Sequence, residues 1–288
     1  MHDPALPDLA PATAPDAATA ERLGRAIVEV FEHLETLPDK VGWTCRQISG
    51  RLGAGADPVL AQGCLALADL IDADPSAFDL HPYHNRQHYC EVALTGYYLC
   101  LAAGTTVHEM QWVLLAALMH DVVHSGRTQA SFQLERASVR RAEPVLKAVR
   151  LDDDAIARLA VLVLCTDVAI GTRFVCDALR ASGEGAPMPV APAEAPELAL
   201  LTRDPSLLRL AQLLCEADIL PSIGLTFAHS MRLQRRLSLE WQRPLGDHDK
   251  LEFIDTVLAC GIVGAFFLPN VLAARRTLLE RLRARAPV

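Results

Sequence analysis

Histidine and aspartate residues recur in this 288-residue chain at spacings that suit metal coordination. His84 and His88 are four residues apart in a segment predicted to be helical, so both side chains would project from one helix face. His120 and Asp121 end one apolar segment, and Asp218 ends another, LAQLLCEAD. An unpaired carboxylate is costly to bury. We therefore predict that three separate helices bring these side chains to a common metal ion.

The mixture of imidazole and carboxylate groups indicates which chemistry such a site supports. It suits Zn, Fe, Mn or Mg better than the all-thiolate sites that select structural zinc. Two histidines and two aspartates leave positions open for water on a five- or six-coordinate ion, as catalysis requires. A carboxylate such as Asp121 can bridge two metal ions that hold a hydroxide between them. That hydroxide is available as a nucleophile at neutral pH, because metal binding lowers the pKa of water from 15.7 to about 7.

Each of these features also has a purely structural interpretation. Histidine pairs four residues apart are common, and a histidine near a helix C-terminus interacts favourably with the helix dipole. Asp218 alone could cap the helix that follows it. The presence of all these residues in one chain favours the metal site over the separate structural explanations.

The composition predicts an all-α protein. Apolar residues make up 51% of the chain and aromatic residues only 5%, and most of the apolar residues are the helix formers Ala and Leu. The net charge of −8 comes without a run of Lys or Arg, which argues against a nucleic-acid partner. A phosphorylated ligand would then depend on local positive charge, which a divalent metal can supply.

The eight cysteines and the hydropathy pattern bear on location. No CxxC pair occurs and most cysteines lie in apolar stretches, which is typical of buried thiols in a reducing cytoplasm. The N-terminus lacks the features of a signal peptide. The longest apolar run, 257–268, is too short to span a bilayer. The chain is therefore predicted to be a soluble cytoplasmic protein without a membrane partner, and its oligomeric state, including a homo-oligomer, stays open.

Apolar periodicity predicts most of the helices. One begins near Glu21 and another at Asp57-Pro58. Thr106 and Glu109 have the spacing of a capping box, which opens the helix that ends at His120. Further helices are predicted over about 84–101, 132–149, 153–168, 205–219, 224–241 and 249–283, the last interrupted near Pro269.

Two segments rich in Pro and Ala determine the predicted domain organisation. Residues 1–19 are predicted to be a flexible arm, and residues 20–288 a single domain. Residues 182–196, SGEGAPMPVAPAEAP, are predicted to be a loop inside that domain, because the metal-binding residues on its two sides need each other.

Several segments resemble the class I cyclic-nucleotide phosphodiesterases of the HD superfamily. Residues 81–88, HPYHNRQH, resemble the YHNxxH motif of that family, and 116–126, AALMHDVVHSG, resemble its HDxDHxG segment. Three weaker matches follow in the same order along the chain: LCTD at 164–167 with ATD, LCEADI at 214–219 with CADLS, and LEFID at 251–255 with GFID. The resemblance implies a compact multi-helix HD-type bundle.

The resemblance also implies a role for each matching residue. His84 would be the general acid, and two divalent ions would bind, the first of them held by His88, His120, Asp121 and Asp218. Asp121 would contact both ions and belong to the catalytic set. His124 would orient metal-bound water. The resemblance further implies that Asn85, Asp167 and Glu135 lie behind the ligands and support them. It also implies that Lys250 and Phe253 contact the substrate.

The chain departs from the family pattern at two motif positions. Val123 replaces the second Asp of HDxDH, and Lys250 stands where the family has the glutamine that contacts the purine. The predicted function is hydrolysis of a phosphoester by metal-activated hydroxide. The substrate would be a nucleotide, with cyclic nucleotides among the candidates, or another small phosphorylated molecule. A di-iron oxygenase is an alternative, but no histidine occurs between 124 and 229 to supply extra ligands. A degenerate domain that senses a ligand is another, and the complete ligand set argues against it.

Overall fold

The computed structural model of the chain describes residues 5–9, 16–126 and 130–285. Within these ranges it contains α-helices and no β-strand, which confirms the prediction of a compact all-α bundle. The helices are α1 (Ala17–Leu34), α2 (Lys40–Leu52), α3 (Pro58–Ala73), α4 (Pro75–Phe78), α5 (Arg86–Ala103), α6 (Val107–Met119), α7 (Gln133–Ala148), α8 (Asp153–Leu164), α9 (Gly171–Glu184), α10 (Pro205–Ile223), α11 (Phe227–Glu240), α12 (Asp247–Cys260) and α13 (Leu268–Arg285).

Side-chain caps fix the starts of several helices. The predicted capping box is present at α6: Thr106 Oγ1 accepts the Glu109 N–H at 3.2 Å, and the Glu109 carboxylate accepts the Thr106 N–H at 2.8 Å. At α3, the Asp57 carboxylate accepts the Val59 N–H at 2.8 Å and Pro58 occupies the first helical position. These local hydrogen bonds satisfy backbone donors that have no partner inside the helix.

Helices α5, α6 and α10 cross at the centre of the bundle. Every residue of α5 from Arg86 to Cys100 is buried, and the helix packs against both α6 and α10. Gly96 allows a close approach, since a Cβ there would lie 3.3 Å from Val113 of α6 and 3.5 Å from Ala217 of α10. The crossing therefore brings side chains of three helices within reach of one another.

Four helical elements differ from the sequence-based prediction. Helices α2 and α9 were not predicted, because their apolar residues are interrupted by Gly, Thr and charged residues. The single-turn helix α4 was not predicted either. Helix α10 continues to Ile223, four residues beyond the predicted end, so that Asp218 lies in the helix interior and does not cap the next helix. Its polar side chain is tolerated there because it faces other polar groups, as described below.

The predicted flexible arm differs from the structure at residues 5–9 and at the start of α1. Leu6 is only 3% exposed and belongs to the hydrophobic core. The Pro7 carbonyl accepts a hydrogen bond from the Tyr98 hydroxyl at 2.8 Å, and Asp8 forms an ion pair with Arg51. One buried leucine among prolines and alanines gives no periodicity, so the sequence did not indicate this contact. The rest of the predicted arm, 1–4 and 10–15, lies outside the described residues.

The segment predicted as an interior loop begins inside α9, which ends at Glu184. The remainder is held at its far end, where Arg136 forms an ion pair with Glu197 at 2.8 Å and donates to the Glu194 carbonyl. The hydrophobic core contains residues from both sides of this loop. The division into an arm and a single domain stays a prediction.

No described helix is by itself long and apolar enough to cross a membrane; α10 and α11 meet the length and composition only as a pair bent by 93°.

The cysteines match the expectation that most of them are buried thiols, with one pair as an exception. Six are free and buried, but Cys176 of α9 and Cys260 of α12 form a disulfide, with their Cα atoms 5.5 Å apart. The two are separated by 84 residues, so no spacing motif marked them as a pair. The disulfide joins α9 to the helix that carries Lys250 and Phe253.

Counting thiols tests this disulfide. Unfolded without reductant and then alkylated, the protein should carry six modified cysteines by mass spectrometry, and eight after reduction. A Cys176→Ser variant is the matched control: without reductant it should carry seven, the six free thiols and the released Cys260. Eight modified cysteines in the unreduced wild-type protein would contradict the disulfide.

Glu216 is an ionisable residue buried in the core near the end of α12. It is 2% exposed, and its carboxyl oxygen accepts the Gly264 N–H at 2.9 Å. Burial raises the pKa of Glu216 to about 8. The protonated carboxyl therefore stabilises the fold fully below the unfolded-state pKa of about 4.3, and this contribution is lost as the pH rises through 8.

Glu216→Gln should remove that pH dependence. The free energy of unfolding of the variant relative to wild type should increase between pH 5 and 8, by up to about 1.4 kcal/mol per pH unit. Urea unfolding at several pH values measures the difference, with the exposed Glu29→Gln as control. A difference that does not change with pH would show that Glu216 ionises normally in the folded protein.

Candidate functional site

Four side chains predicted to bind a metal meet where α5, α6 and α10 cross. His88 Nε2 lies 3.2 Å from His120 Nε2 and 3.2 Å from Asp218 Oδ1. Asp121 Oδ2 is 3.2 Å from His120 Nε2 and 3.4 Å from His88 Nε2. His120 Nε2 and Asp218 Oδ1 are 3.6 Å apart. The structure therefore places each of the two carboxylates within 3.6 Å of both imidazole nitrogens.

This donor set fits a divalent metal ion. Nitrogen and oxygen ligands bind Zn²⁺ at about 2.0–2.2 Å, so neighbouring donors around one ion lie roughly 3 Å apart, close to the distances found here. Two imidazoles and two carboxylates form the kind of mixed site that Zn, Mn or Fe accepts. One ligand atom from each of His88, His120 and Asp121 lies within 4.8 Å of the other two, so these three residues could hold an ion by themselves.

The electrostatics of the cluster also favour a cation. Burial lowers the pKa of His88, but its interactions with Asp121 and Asp218 outweigh this and raise the value to about 9. Burial raises the pKa of both aspartates, and the neighbouring histidines hold them well below the usual range. The two carboxylates are thus ionised at neutral pH.

Hydrogen bonds behind the ligands fix their orientation. His120 Nδ1 donates to the Ala117 carbonyl at 2.7 Å, which leaves Nε2 to face the other ligands. The Tyr89 hydroxyl donates to the backbone carbonyl of Asp121. Both contacts hold the end of α6, where the His-Asp pair leaves the helix.

Asn85 holds the start of α5. Its carboxamide oxygen accepts the N–H groups of Gln87 and His88 at 3.0 and 3.4 Å, and its amide donates to the His81 and Pro82 carbonyls at 3.0 Å. Asn85 is therefore an N-cap, which positions His88 through the backbone. The prediction that His84 and His88 share a helix face is wrong, because the helix begins after this cap.

His84 nevertheless lies beside the cluster, held by Glu240 at the end of α11. The Glu240 carboxylate accepts the backbone N–H groups of Tyr83 and His84 at 2.9 and 3.0 Å and contacts His84 Nδ1. The His84 ring lies 5.5 Å from the His88 ring, between centroids. Sequence analysis missed Glu240, since 156 residues separate it from His84 and no local pattern marks it.

His124 stacks on His84 with 3.5 Å between ring centroids. Its Nδ1 accepts the Gly126 N–H at 3.1 Å and lies 3.9 Å from the Glu240 carboxylate. Burial lowers the pKa of His124 to about 4, so the ring is neutral at pH 7. His124 is thus a neighbour of His84, and its predicted action on metal-bound water stays a prediction.

Asp167 and Glu135, the two acids predicted to lie behind the ligands, differ in their contacts. Asp167 accepts backbone N–H groups from Phe132 at 3.0 Å and Ile170 at 2.8 Å, so both oxygens hold loops in place. Burial raises the pKa of Glu135 to about 7, and the negative charges of Asp167 and Asp121 add to the effect. Asp167 and Glu135 both line the cavity described next.

A cavity of about 630 Å³ opens beside the cluster. His84, His120, Asp121 and Asp218 lie on its wall, and so do the predicted substrate residues Lys250 and Phe253. Most of the remaining wall is apolar. Cavity residues that sequence analysis missed include Tyr83, Ser222, Gln234 and Trp241 and the charged Arg243, Asp249 and Glu252. The volume and the mixture of apolar and polar groups are typical of a small-molecule site.

Comparison with solved structures shows the fold. The chain is similar to two crystal structures of the phosphodiesterase domain of the rhodopsin phosphodiesterase from the choanoflagellate Salpingoeca rosetta, with TM-scores of 0.58 and 0.60 and identities of 20% and 19%. These matches cover 92% and 94% of this chain and 93% and 91% of the other. LmjPDEB1, solved in complex with IBMX, matches with a TM-score of 0.60 and 17% identity over 94% of both chains.

Comparison with protein-family models and with curated proteins gave no match. The structural likeness nevertheless extends over nearly the whole chain. The protein therefore has the fold of these phosphodiesterase domains, which confirms the fold that the motifs implied.

Removing one ligand should abolish metal binding. A metal present at a hundred times its dissociation constant stabilises a folded protein by about 2.7 kcal/mol. Added Mn²⁺ or Zn²⁺ should therefore raise the melting temperature of the wild-type protein, while Asp218→Ala should show no rise and no retained metal by elemental analysis. The exposed Asp154→Ala is the control and should behave as wild type. An unchanged response in Asp218→Ala would exclude this carboxylate as a ligand.

Proposed function

We propose that the chain is a metal-dependent phosphodiesterase that hydrolyses a nucleotide or another small phosphorylated molecule. The observation that carries the proposal is that two carboxylates each lie within 3.6 Å of two imidazole nitrogens beside a cavity large enough for a nucleotide. The fold shared with phosphodiesterase domains supports it. So does the neighbour solved with the small molecule IBMX, since it indicates that this fold accommodates such a ligand.

The proposed ligands are His88, His120, Asp121 and Asp218, with Asp121 shared between two divalent ions drawn from Zn, Mg, Mn or Fe. When bound, such ions supply the Lewis acidity that activates water and offsets charge on phosphoryl oxygens. The apolar part of the cavity wall would contact the uncharged part of the substrate. Phe253, on that wall, would pack against the substrate.

His84 is the proposed general acid. Glu240 binds its Nδ1, which leaves the other ring nitrogen to donate a proton to the departing ester oxygen. The carboxylate also stabilises the charged imidazole before it gives up the proton. Burial raises the pKa of Glu240, but its hydrogen bonds with His84 lower it to about 2, so it is ionised at neutral pH. Glu240 is thus a positioning residue that acts through His84.

We also propose a cytoplasmic location. The six free buried cysteines support it, whereas the disulfide between Cys176 and Cys260 argues against it, since disulfides are rare in reducing compartments. The alkylation experiment above, carried out on protein captured directly from cells, tests this location.

A hydrolysis screen with Mn²⁺ or Mg²⁺ tests the proposed activity. Turnover of two phosphodiesters that differ in their leaving groups tests the role of His84 as the general acid. His84→Ala should lower the turnover of a cyclic nucleotide about 10²- to 10⁴-fold while retaining metal. It should lower the turnover of bis(p-nitrophenyl) phosphate much less, because p-nitrophenolate leaves without a proton. Glu240→Gln should show the same pattern, more weakly.

The exposed Glu32→Gln is the control for these variants and should match wild type on both substrates. Equal losses on both substrates in His84→Ala would show that His84 does not act as the acid. No hydrolysis of any phosphodiester by metal-loaded wild-type protein would overturn the proposed function.

A further inference from the structure

Glu91 and His229 form a buried contact that the proposed mechanism does not use. Glu91 lies in α5, one turn after the ligand His88, and His229 lies in the first turn of α11. The side chains of Glu91 and His229 are 1% and 0% exposed, and His229 Nε2 is 3.2 Å from Glu91 Oε2. An ionisable side chain is costly to bury without a partner, so each of the two residues holds the other in place.

Hydrogen bonds on both sides fix the geometry of this contact. Arg232 Nη2 lies 2.8 Å from His229 Nδ1, and Nδ1 is the acceptor because a guanidinium group only donates. The other ring nitrogen, Nε2, therefore carries the proton that Glu91 accepts. Gln87 Nε2 donates to Glu91 Oε1 at 3.3 Å and to the Phe31 carbonyl at 2.9 Å. Both carboxylate oxygens of Glu91 thus have a partner.

The position of His229 in α11 relates this contact to Glu240. The two residues are eleven apart, about three turns of helix, so their side chains lie on the same face of α11 and roughly 16 Å from each other. Glu240 accepts the backbone N–H groups of Tyr83 and His84 and contacts His84 Nδ1. Helix α11 is therefore held at both ends by a contact between a carboxylate and an imidazole.

The helix before α11 does not fix its direction, because α10 and α11 are bent by 93° at the break between Ile223 and Phe227. Backbone hydrogen bonds do not run continuously through such a break, so side-chain contacts determine where the far end of α11 lies. A rotation at His229 would be carried along the helix to Glu240. A displacement of 1 Å in a group that positions a reacting residue can cost about 10²-fold in rate.

We propose that Glu91 and His229 are a positioning pair for the general acid, which fixes α11 so that Glu240 meets His84. Neither residue of the pair is among the described residues that line the cavity, so the pair acts through His84 and not on the substrate. This inference rests on the proposed function, because it concerns the proposed acid. Loss of the pair should weaken protonation of the leaving group and spare the metal-dependent attack.

The test compares Glu91→Leu, which removes the acceptor, with Glu91→Gln, which still offers an oxygen to His229. The measurement is kcat with Mn²⁺ for bis(p-nitrophenyl) phosphate and for adenosine or guanosine 3′,5′-cyclic monophosphate, whichever wild type hydrolyses faster. Glu91→Leu should lower the ratio of cyclic nucleotide to nitrophenyl ester turnover about tenfold to hundredfold. Glu91→Gln should keep it within about threefold of wild type. Glu216→Leu, which replaces another buried carboxyl group, is the matched control and should leave the ratio unchanged.

A double variant shows whether the pair acts through His84. In the His84→Ala background the acid is already absent, so Glu91→Leu should not lower the ratio further. A further fall there would overturn the positioning role. Equal losses on both substrates in Glu91→Leu alone would also overturn it, since that result is expected if Glu91 acts on the neighbouring ligand His88 or only stabilises the fold.

Two further measurements cover a variant that does not fold and an enzyme without the proposed activity. If Glu91→Leu fails to fold, His229→Phe removes the same contact from α11 and should give the same fall in the ratio. If wild type hydrolyses neither cyclic nucleotide, nitrogen-15 NMR of the histidine rings decides, with His84 assigned from His84→Ala. The His84 Nδ1 signal should lose its hydrogen-bonded shift in Glu91→Leu and keep it in Glu91→Gln. An unchanged His84 signal in Glu91→Leu would refute the pair, whether or not the protein is a phosphodiesterase.

Discussion

The structure depends on how charge is balanced where α5, α6 and α10 cross. Asp121 and Asp218 are carboxylates at a buried crossing, and isolated charges there would destabilise the fold strongly. His88 and His120 offset them, and a divalent cation would do so more completely. The ligands are rigid because each belongs to, or directly follows, a helix of the core. The packing of the core and the proposed metal chemistry therefore both require these three helices to keep fixed positions relative to one another.

Local sequence signals predicted much of this arrangement. Caps and apolar periodicity predicted most helices, and the four candidate ligands could be predicted because each lies in a short segment of recognisable type. The error at His84 has a physical reason. Asparagine at position 85 is a strong N-cap, so the helix begins after it, and spacing alone does not separate a residue before a cap from one inside a helix. His84 still lies beside the cluster, held by a partner that the spacing did not reveal.

Contacts between distant segments account for what the sequence did not predict. Glu240, the Cys176–Cys260 disulfide and the burial of Leu6 each depend on two parts of the chain that lie far apart in sequence. Neither side of such a contact carries a period or a spacing that marks it. Glu240 ends a helix with several arginines, where an acid would be expected to make only surface ion pairs. Tertiary packing alone makes it the partner of His84.

The charge of the cluster orders the steps of binding. The carboxylates of Asp121 and Asp218 lie on the cavity wall, and on their own they repel a phosphate. Divalent ions held by the cluster would reverse the sign of this charge and attract the phosphate. Metal binding must therefore precede productive binding of a phosphorylated substrate, and the crossing of α5, α6 and α10 that positions the carboxylates would then position the phosphate as well.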